Sequence, residues 1–290
     1  SDLVSILPDS SHNKLTIQVG AGAGSSATAA QLNSIRGKTA DKVRNANVSV
    51  ITGNVSDMNT FIENISDFSE NDGTTARPES NYTFTPTSAT QSASDLNTLN
   101  TNATNISLTN VTAFSASDMT DLSTFHSNVN DFTLYTGIAT ITLTDNGGSG
   151  SSVDYSTLET IVDNYQADIN AAAVFKFQSA DDITIDNDPD ELTAYLADIA
   201  SNALTLTNQT VTINSSLAIS IANARSIAAD TTGIVTATIA SSRVSDLTAL
   251  RDPGTGINEE NNWTITLHND DAANEVTAAD LNTLNGATSA

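Results

Sequence analysis

The stretch DNDPDE at 186–191 sets Asp186, Asp188 and Asp190 at alternate positions, the spacing of the first three ligands of a calcium loop. Carboxylate oxygens so spaced suit a hard divalent cation, and Asp182 lies near enough in sequence to join them. The rest of that loop pattern fails. Its sixth position is Glu191, where Gly should turn the chain, and its twelfth is Ala197, where Glu should close the coordination. Calcium at Asp182, Asp186, Asp188 and Asp190 is one expectation; the other is that Asp188 and Glu191 cap a helix.

Other chemistry-bearing stretches are sparser. TDNGGSG at 144, SENDG at 69 and HNDD at 268 are acidic, loop-forming clusters, and the first has one copy of a glycine- and aspartate-rich pattern that binds calcium in tandem. His12, His126 and His268 stand far apart, and no GxSxG, phosphate-loop or dinucleotide fingerprint occurs, so no catalytic or cofactor-binding residue is assigned. With no Cys, the chain has neither disulfides nor a thiolate nucleophile. Aromatic residues make up 5%, few for the sugar platforms of a polysaccharide-cleaving enzyme. Ten Asn-x-Ser/Thr sites are glycosylation candidates: Asn47, Asn54, Asn64, Asn81, Asn102, Asn105, Asn110, Asn208, Asn214 and Asn262.

The charge narrows the partners. Thirty-four acidic residues against 10 basic leave a formal charge of -24, which repels phosphate backbones and anionic membranes and favours screening by divalent cations. No apolar run reaches the roughly 18 residues of a membrane span. A Cys-free, acidic chain rich in Ser, Thr and Asn that starts SDLVSIL reads as an exported, processed or trimmed surface protein.

The elements that must hold these residues follow from a repeated phrase. ATAAQLNSIRGKTA at 27 returns as NVSDMNTFIEN at 54, SASDLNTLNTNAT at 92, SASDMTDLSTF at 115, DPDELTAYLAD at 188 and TAADLNTLNG at 277. Looser copies are DYSTLETIVDN at 154, NSSLAISIANA at 214 and RVSDLTALRDP at 243. The anchors Leu32, Met58, Leu96, Met119, Leu158, Leu192, Leu217, Leu247 and Leu281 recur 23 to 39 residues apart, a period that marks arrays.

Each phrase has the form of a short capped helix. Asn54, Ser92, Ser115, Asp188 and Thr277 stand at the N-cap, with Asp57, Asp95, Asp118, Glu191 and Asp280 three positions on. Phe114 with Met119 and Val276 with Leu281 have staple spacing, Pro189 suits the first helical position, and Gly37 and Gly286 suit a left-handed C-terminal cap. Two turns do not persist alone, so the helices must dock. Between them, KLTIQV, NYTFT, ISLTN, ATITLTD, DITID, LTLTNQTVTIN, GIVTATI and WTITL alternate apolar residues with Thr or Ser, as half-buried strands do. The expected fold is an α/β repeat solenoid of about nine degenerate units, stacking short Thr-rich strands with two-turn capped helices; an irregular all-β sandwich is the alternative. One array over 1–290 is expected, with a softer boundary near 146–152.

The first and last phrases match the consensus best, whereas a sealed solenoid ends in atypical units. Either the chain is cut from a longer array, or its two ends cover one another in a head-to-tail polymer, the expectation taken here. Arg36, Lys38, Lys42 and Arg44 form a basic cluster, and Asp181, Asp182, Asp186, Asp188, Asp190, Glu191 and Asp198 an acidic one that a second copy could present to it. The phrase TAADLNTLNGATS, its echoes at 28, 92 and 115, and the Thr-alternating strands resemble the large repetitive cell-surface proteins of bacteria, cyanobacteria especially, including surface-layer and adhesin-like chains. That resemblance implies export to the cell surface, calcium dependence and a structural or adhesive role. The expected function is a non-enzymatic, self-assembling subunit of an extracellular filament or surface layer. An adhesin segment binding glycans or another cell is the alternative, and a polysaccharide-acting enzyme ranks third. Expected partners are copies of itself and glycans, with no nucleic acid and no membrane insertion.

Overall fold

A computed structural model describes residues 16–20, 22–133, 138–144, 152–177, 182–186, 188–251 and 261–267, together with 278, 279 and 282. The protein is α/β, and the strand pairs described run parallel. Two compact units are present, one up to Ser115 with Thr120–Ile138, the other Ala116–Met119 with Ala139 onward. Among the described residues no helix is long and apolar enough to cross a membrane.

Up to residue 133 the elements are β1 (Ser25–Thr28), α1 (Ala29–Arg36), β2 (Val43–Arg44), β3 (Val48–Gly53), α2 (Val55–Glu63), β4 (Phe68–Ser69), β5 (Thr83–Pro86), β6 (Thr90–Ser92), α3 (Ala93–Asn102), β7 (Ile106–Ser107), β8 (Ala113–Ala116), α4 (Met119–Ser127) and β9 (Phe132–Thr133). One sheet has the order β1-β3-β5-β7-β9, and β2 with β4 and β6 with β8 form further parallel pairs. Register sets Ala27, Ile51, Phe84, Ile106 and Phe132 in one row, the last four of them buried. Such a row is what alternation of apolar and hydroxyl residues produces on parallel strands, because side chains reverse face at each step. The opposite face carries Thr28, Thr52 and Thr85 in register.

The second unit has β10 (Thr140–Leu143), β11 (Ser152–Asp154), α5 (Tyr155–Asp168), β12 (Val174–Phe177), β13 (Asp182–Ile185), α6 (Pro189–Ser201), β14 (Leu204–Thr205), β15 (Val211–Ile213), β16 (Ala218–Ile219), α7 (Ile221–Asp230), β17 (Val235–Ser242), α8 (Val244–Leu247) and β18 (Asn262–Leu267). Strands β10, β12 and β14 are neighbours in one sheet; β11-β13-β15-β17-β16 form another, with β18 on β17. Here Val153, Ile183, Val211 and Val235 make the buried row, and Asp154, Thr184, Thr212, Thr236 and Asn262 the polar one. Each fully buried Ile, Leu or Phe contributes roughly 1.5–3 kcal/mol, so these rows and the helix anchors above them dominate stability.

Several expectations change. The phrase at 115 predicts an N-cap at Ser115 and an anchor at Met119, but Ser115 lies in β8 and α4 starts at Met119. The frame moves three residues because it then buries Leu122 and Phe125, and Phe114 meets the Phe125 ring at 4.3 Å instead of stapling Met119. The phrase at 214 is also misplaced. Leu217 is half-buried outside the helix, α7 is capped by Ser220, and Ala224 takes the anchor position. Gly37 ends α1 with φ -63, not in the left-handed region, its N–H donating to the Asn33 carbonyl. A left-handed cap occurs instead at Asn202, φ 60, after α6. Two helices run past three turns, α5 with 14 residues and α6 with 13. Of KLTIQV, the described residues contain a single parallel bridge, Gln18 to Arg44. Leu281, Thr277, Asp280, Val276 and Gly286 lie outside the described residues, as do TDNGG beyond Thr144, HNDD at 268, His12 and Asp181.

Candidate functional site

The caps expected at Asn54, Ser92 and Asp188 form, Thr28 caps α1 in the same way, and each leaves the next turn of its helix in a fixed rotation. Thr28, Asn54 and Ser92 accept from the backbone N–H three residues on, and Asp188 accepts from Asp190 N–H. The residue four past the cap then points inward: Leu32, Met58, Leu96, Leu122, Leu158 and Leu192 are all buried. That rotation leaves the fifth residue facing the adjacent helix.

In the first unit the fifth residue is Asn33, Asn59 and Asn97 in three successive helices. Asn33 Nδ2 donates to the Asp57 carbonyl at 2.9 Å, so α1 holds α2; Asn97 Nδ2 donates to the Asp121 carbonyl at 2.9 Å, so α3 holds α4. Both acceptors sit three residues past the N-terminal boundary residue of their own helix, Asn54 and Asp118. A second contact follows the same geometry. Arg36 pairs with Asp67 at 2.5 Å, and Asn100 Nδ2 donates to Asp131 Oδ2 at 3.1 Å, each across 31 residues. Asp67 and Asp131 close the short 3-10 turns Ile65–Asp67 and Val129–Asp131. The near-identical NISDF at 64 and NVNDF at 128 are the sequence signal for them, and the reading of the helix phrase alone passes over it. A third clamp joins Glu79 to Thr104, whose N–H and hydroxyl both donate to Glu79 Oε1, at 2.6 and 2.9 Å.

The second unit joins its helices differently. Glu191 is expected to form a capping box with Asp188. It is instead buried, with Oε1 accepting from Ser156 N–H at 3.1 Å and Oε2 from Asp186 N–H at 2.9 Å. Asp154, at the cap of α5, accepts from the Ser156 and Thr157 hydroxyls and leaves that N–H to Glu191. Burial raises the Glu191 carboxyl above its ordinary range against the lowering effect of those N–H donors. Tyr155 OH donates to Asp198 Oδ2 at 2.6 Å, and its ring meets Tyr195 edge-on at 5.2 Å. Burial raises Asp198 as well. Between α6 and α7 a groove of about 350 Å³ is lined by Leu196, Ile199, Asn223, Ser226 and Asp230. Asp230 Oδ2 in this groove is buried without a hydrogen bond, as is the Tyr195 hydroxyl, and burial pushes Asp230 up to about 6.

Of the calcium candidates, Asp188 is spent on its cap, Asp182 accepts from the Thr210 hydroxyl, and Asp186 and Asp190 are exposed. Among the described residues no group of three or more His, Cys, Asp or Glu could hold a metal ion. SENDG is a tight turn: Asp72 accepts from the Thr74 and Thr75 N–H groups, which with the Thr75 hydroxyl lower its carboxyl, and Gly73 has φ 75. Of the sequon asparagines, Asn54 is the cap of α2, while Asn47, Asn64, Asn81, Asn102, Asn105 and Asn110 donate to neighbouring oxygens; Asn208, Asn214 and Asn262 lie in the second unit. Arg36 and Lys42 line a groove of about 440 Å³ with Thr39, Asp41 and Asp67, so the basic cluster is partly neutralised within its own unit. Within the acidic cluster Glu191 and Asp198 face inward partners, which leaves Asp186, Asp188 and Asp190 as its exposed part.

The side chains that recur at one position thus hold one helix to the next, through bonds made to backbone groups as well as to side chains. No protein-family model, curated protein or solved structure matches this chain.

Proposed function

We propose that the chain is a structural repeat protein, an α/β solenoid that joins copies of itself head to tail into an extracellular filament or surface layer. The observation that carries this reading is the recurring Asn contact, in which one helix holds the next through an amide and a backbone carbonyl. An interface between repeats that uses a backbone acceptor is indifferent to the acceptor's side chain, so it serves equally within a chain and between chains. The acidic, Cys-free composition and the resemblance to repetitive bacterial surface proteins support export, with calcium as a screening ion.

An adhesin is the second reading, favoured by the in-register polar rows Thr28, Thr52, Thr85 and Thr184, Thr212, Thr236, in which Thr85, Thr212 and Thr236 present hydroxyls that could meet glycans. Negative-stain microscopy of the purified chain with and without calcium separates the two. Filaments or sheets support the structural role; discrete particles that retain glycans on an array support the adhesin, and release of oligosaccharides from a polymer would defeat both.

A further inference from the structure

In the first unit, positions five and eight past a helix cap carry the polar side chains that clamp one helix to its neighbours: Asn33 and Asn97 at five, Arg36 and Asn100 at eight. Helix α6, capped by Asp188, has Thr193 and Leu196 there. Thr193 turns its hydroxyl back to the Pro189 carbonyl of its own helix, and Leu196 is half-buried with no polar group to offer. The interface with α7 stays open as a groove of about 350 Å³, the size of a small-molecule site.

The two walls of the groove differ. Leu196 and Ile199 make the α6 side apolar, whereas α7 contributes Asn223, Ser226 and Asp230 at intervals of three and four residues, along one face of the helix. Asp230 Oδ2 is buried and accepts no hydrogen bond, and burial alone raises its carboxyl. Tyr195 does not relieve it. The Tyr195 hydroxyl is buried and unbonded as well, and the Asp230 charge adds to the effect of burial in raising it. An ionised carboxylate taken out of water without a partner is costly, and a cation entering the groove offsets that cost. Ammonium N–H groups suit Ser226 and Asp230, which are helix-surface neighbours four residues apart and both accept hydrogen bonds. An aliphatic stem on the cation covers Leu196 and Ile199 as a lysine stem covers apolar surface.

We propose that this groove binds a primary alkylammonium, with its stem against Leu196 and Ile199 and its charged head between Ser226 and Asp230. A bare metal ion leaves the apolar wall wet, and an anionic ligand meets Asp230 with like charge. The chemistry has two sources, a free amine and the side chain of a lysine in a partner polypeptide. Binding at this groove is independent of head-to-tail assembly.

Butylammonium chloride is the probe, added to the isotope-labelled full chain at about pH 7.5, above the value near 6 to which burial raises Asp230, and in about 0.15 M salt to screen the exposed acidic surface. Saturable amide shifts confined to α6 and α7 are expected. Butanol, which lacks the charge, and ammonium chloride, which lacks the stem, should each bind at least tenfold more weakly. Asp230→Asn should weaken butylammonium binding at least tenfold, and Ala229→Phe, at an exposed position lining the groove, should abolish it by filling the space. Asp190→Asn, the same loss of charge at an exposed site outside the groove, should leave it within twofold. Thermal melts show that each variant is folded. If the N-acetyl, N-methylamide derivative of lysine shifts the same amides at least as strongly, the source is a lysine side chain; if it is excluded while butylammonium binds, the source is a free amine. Shifts scattered over the acidic surface, butanol binding as well as butylammonium, or undiminished binding to Asp230→Asn would overturn the site.

Discussion

Asn33 in α1 donates its side-chain amide to the Asp57 carbonyl in α2 at 2.9 Å, and Asn97 in α3 repeats that bond to Asp121 in α4 at the same distance. Twenty-four residues separate the partners in both cases. The side chain selects the backbone of its neighbour, so the contact fixes the spacing of two helices without constraining the acceptor residue.

Removal of this bond has a graded cost. Asn97→Ala should lower stability by about 1 kcal/mol, the worth of a partly buried hydrogen bond. Asn97→Asp should cost more at pH 7, because an ionised carboxylate then faces the Asp121 carbonyl. Its deficit should shrink below about pH 4, where a protonated Asp donates again. Urea melts of both variants at pH 7 and pH 4 provide the check, and equal losses at both pH values would argue against a donated bond.

Glu191 holds two backbone N–H groups from two different segments, at 3.1 and 2.9 Å. Glu191→Ala leaves both without that acceptor and should cost roughly 2–4 kcal/mol. Glu191→Gln keeps one carbonyl oxygen and should fall between the variant and the parent. Thermal unfolding orders the three proteins.

Asp230 is held up to about 6 by burial, so the folded protein binds its proton more tightly than the unfolded chain. Stability from this group is therefore greatest below about pH 4 and falls as pH rises toward 6. Asp230→Asn removes the penalty. It should stabilise the protein at pH 7 by about 1 kcal/mol, after allowance for the group's partial exposure, and its advantage should fade between pH 6 and pH 4. A stability difference independent of pH would contradict the burial of this carboxylate.

Gly233 leaves no room for a side chain. A Cβ there would collide with the Gln209 carbonyl oxygen, which is backbone and already accepts from the Thr231 hydroxyl at 2.6 Å. Gly233→Ala should cost more than about 3 kcal/mol or prevent folding. Gly22→Ala, where no atom lies within 4 Å of the added carbon, serves as the control and should be nearly neutral on thermal unfolding.

Local chemistry settles in the chain itself what local chemistry can settle. Thr28, Asn54, Ser92 and Asp188 start helices because their side chains satisfy backbone N–H groups a few residues on, and stretches such as ATITLTD and GIVTATI become strands because their period is two. Repetition of those signals marks the α/β repeat pattern before any packing is considered. Where two local frames compete, as at Ser115 against Asp118 or Leu217 against Ala224, capping energies of about 1 kcal/mol cannot choose. Burial of Leu122 with Phe125, and of Ala224 with Ile227, chooses for them. The tertiary structure alone decides which helix receives each Asn amide, and it turns Glu191 from a local cap into a bridge. Those partners lie 24 to 35 residues apart, brought together only when the apolar rows of successive parallel strands align.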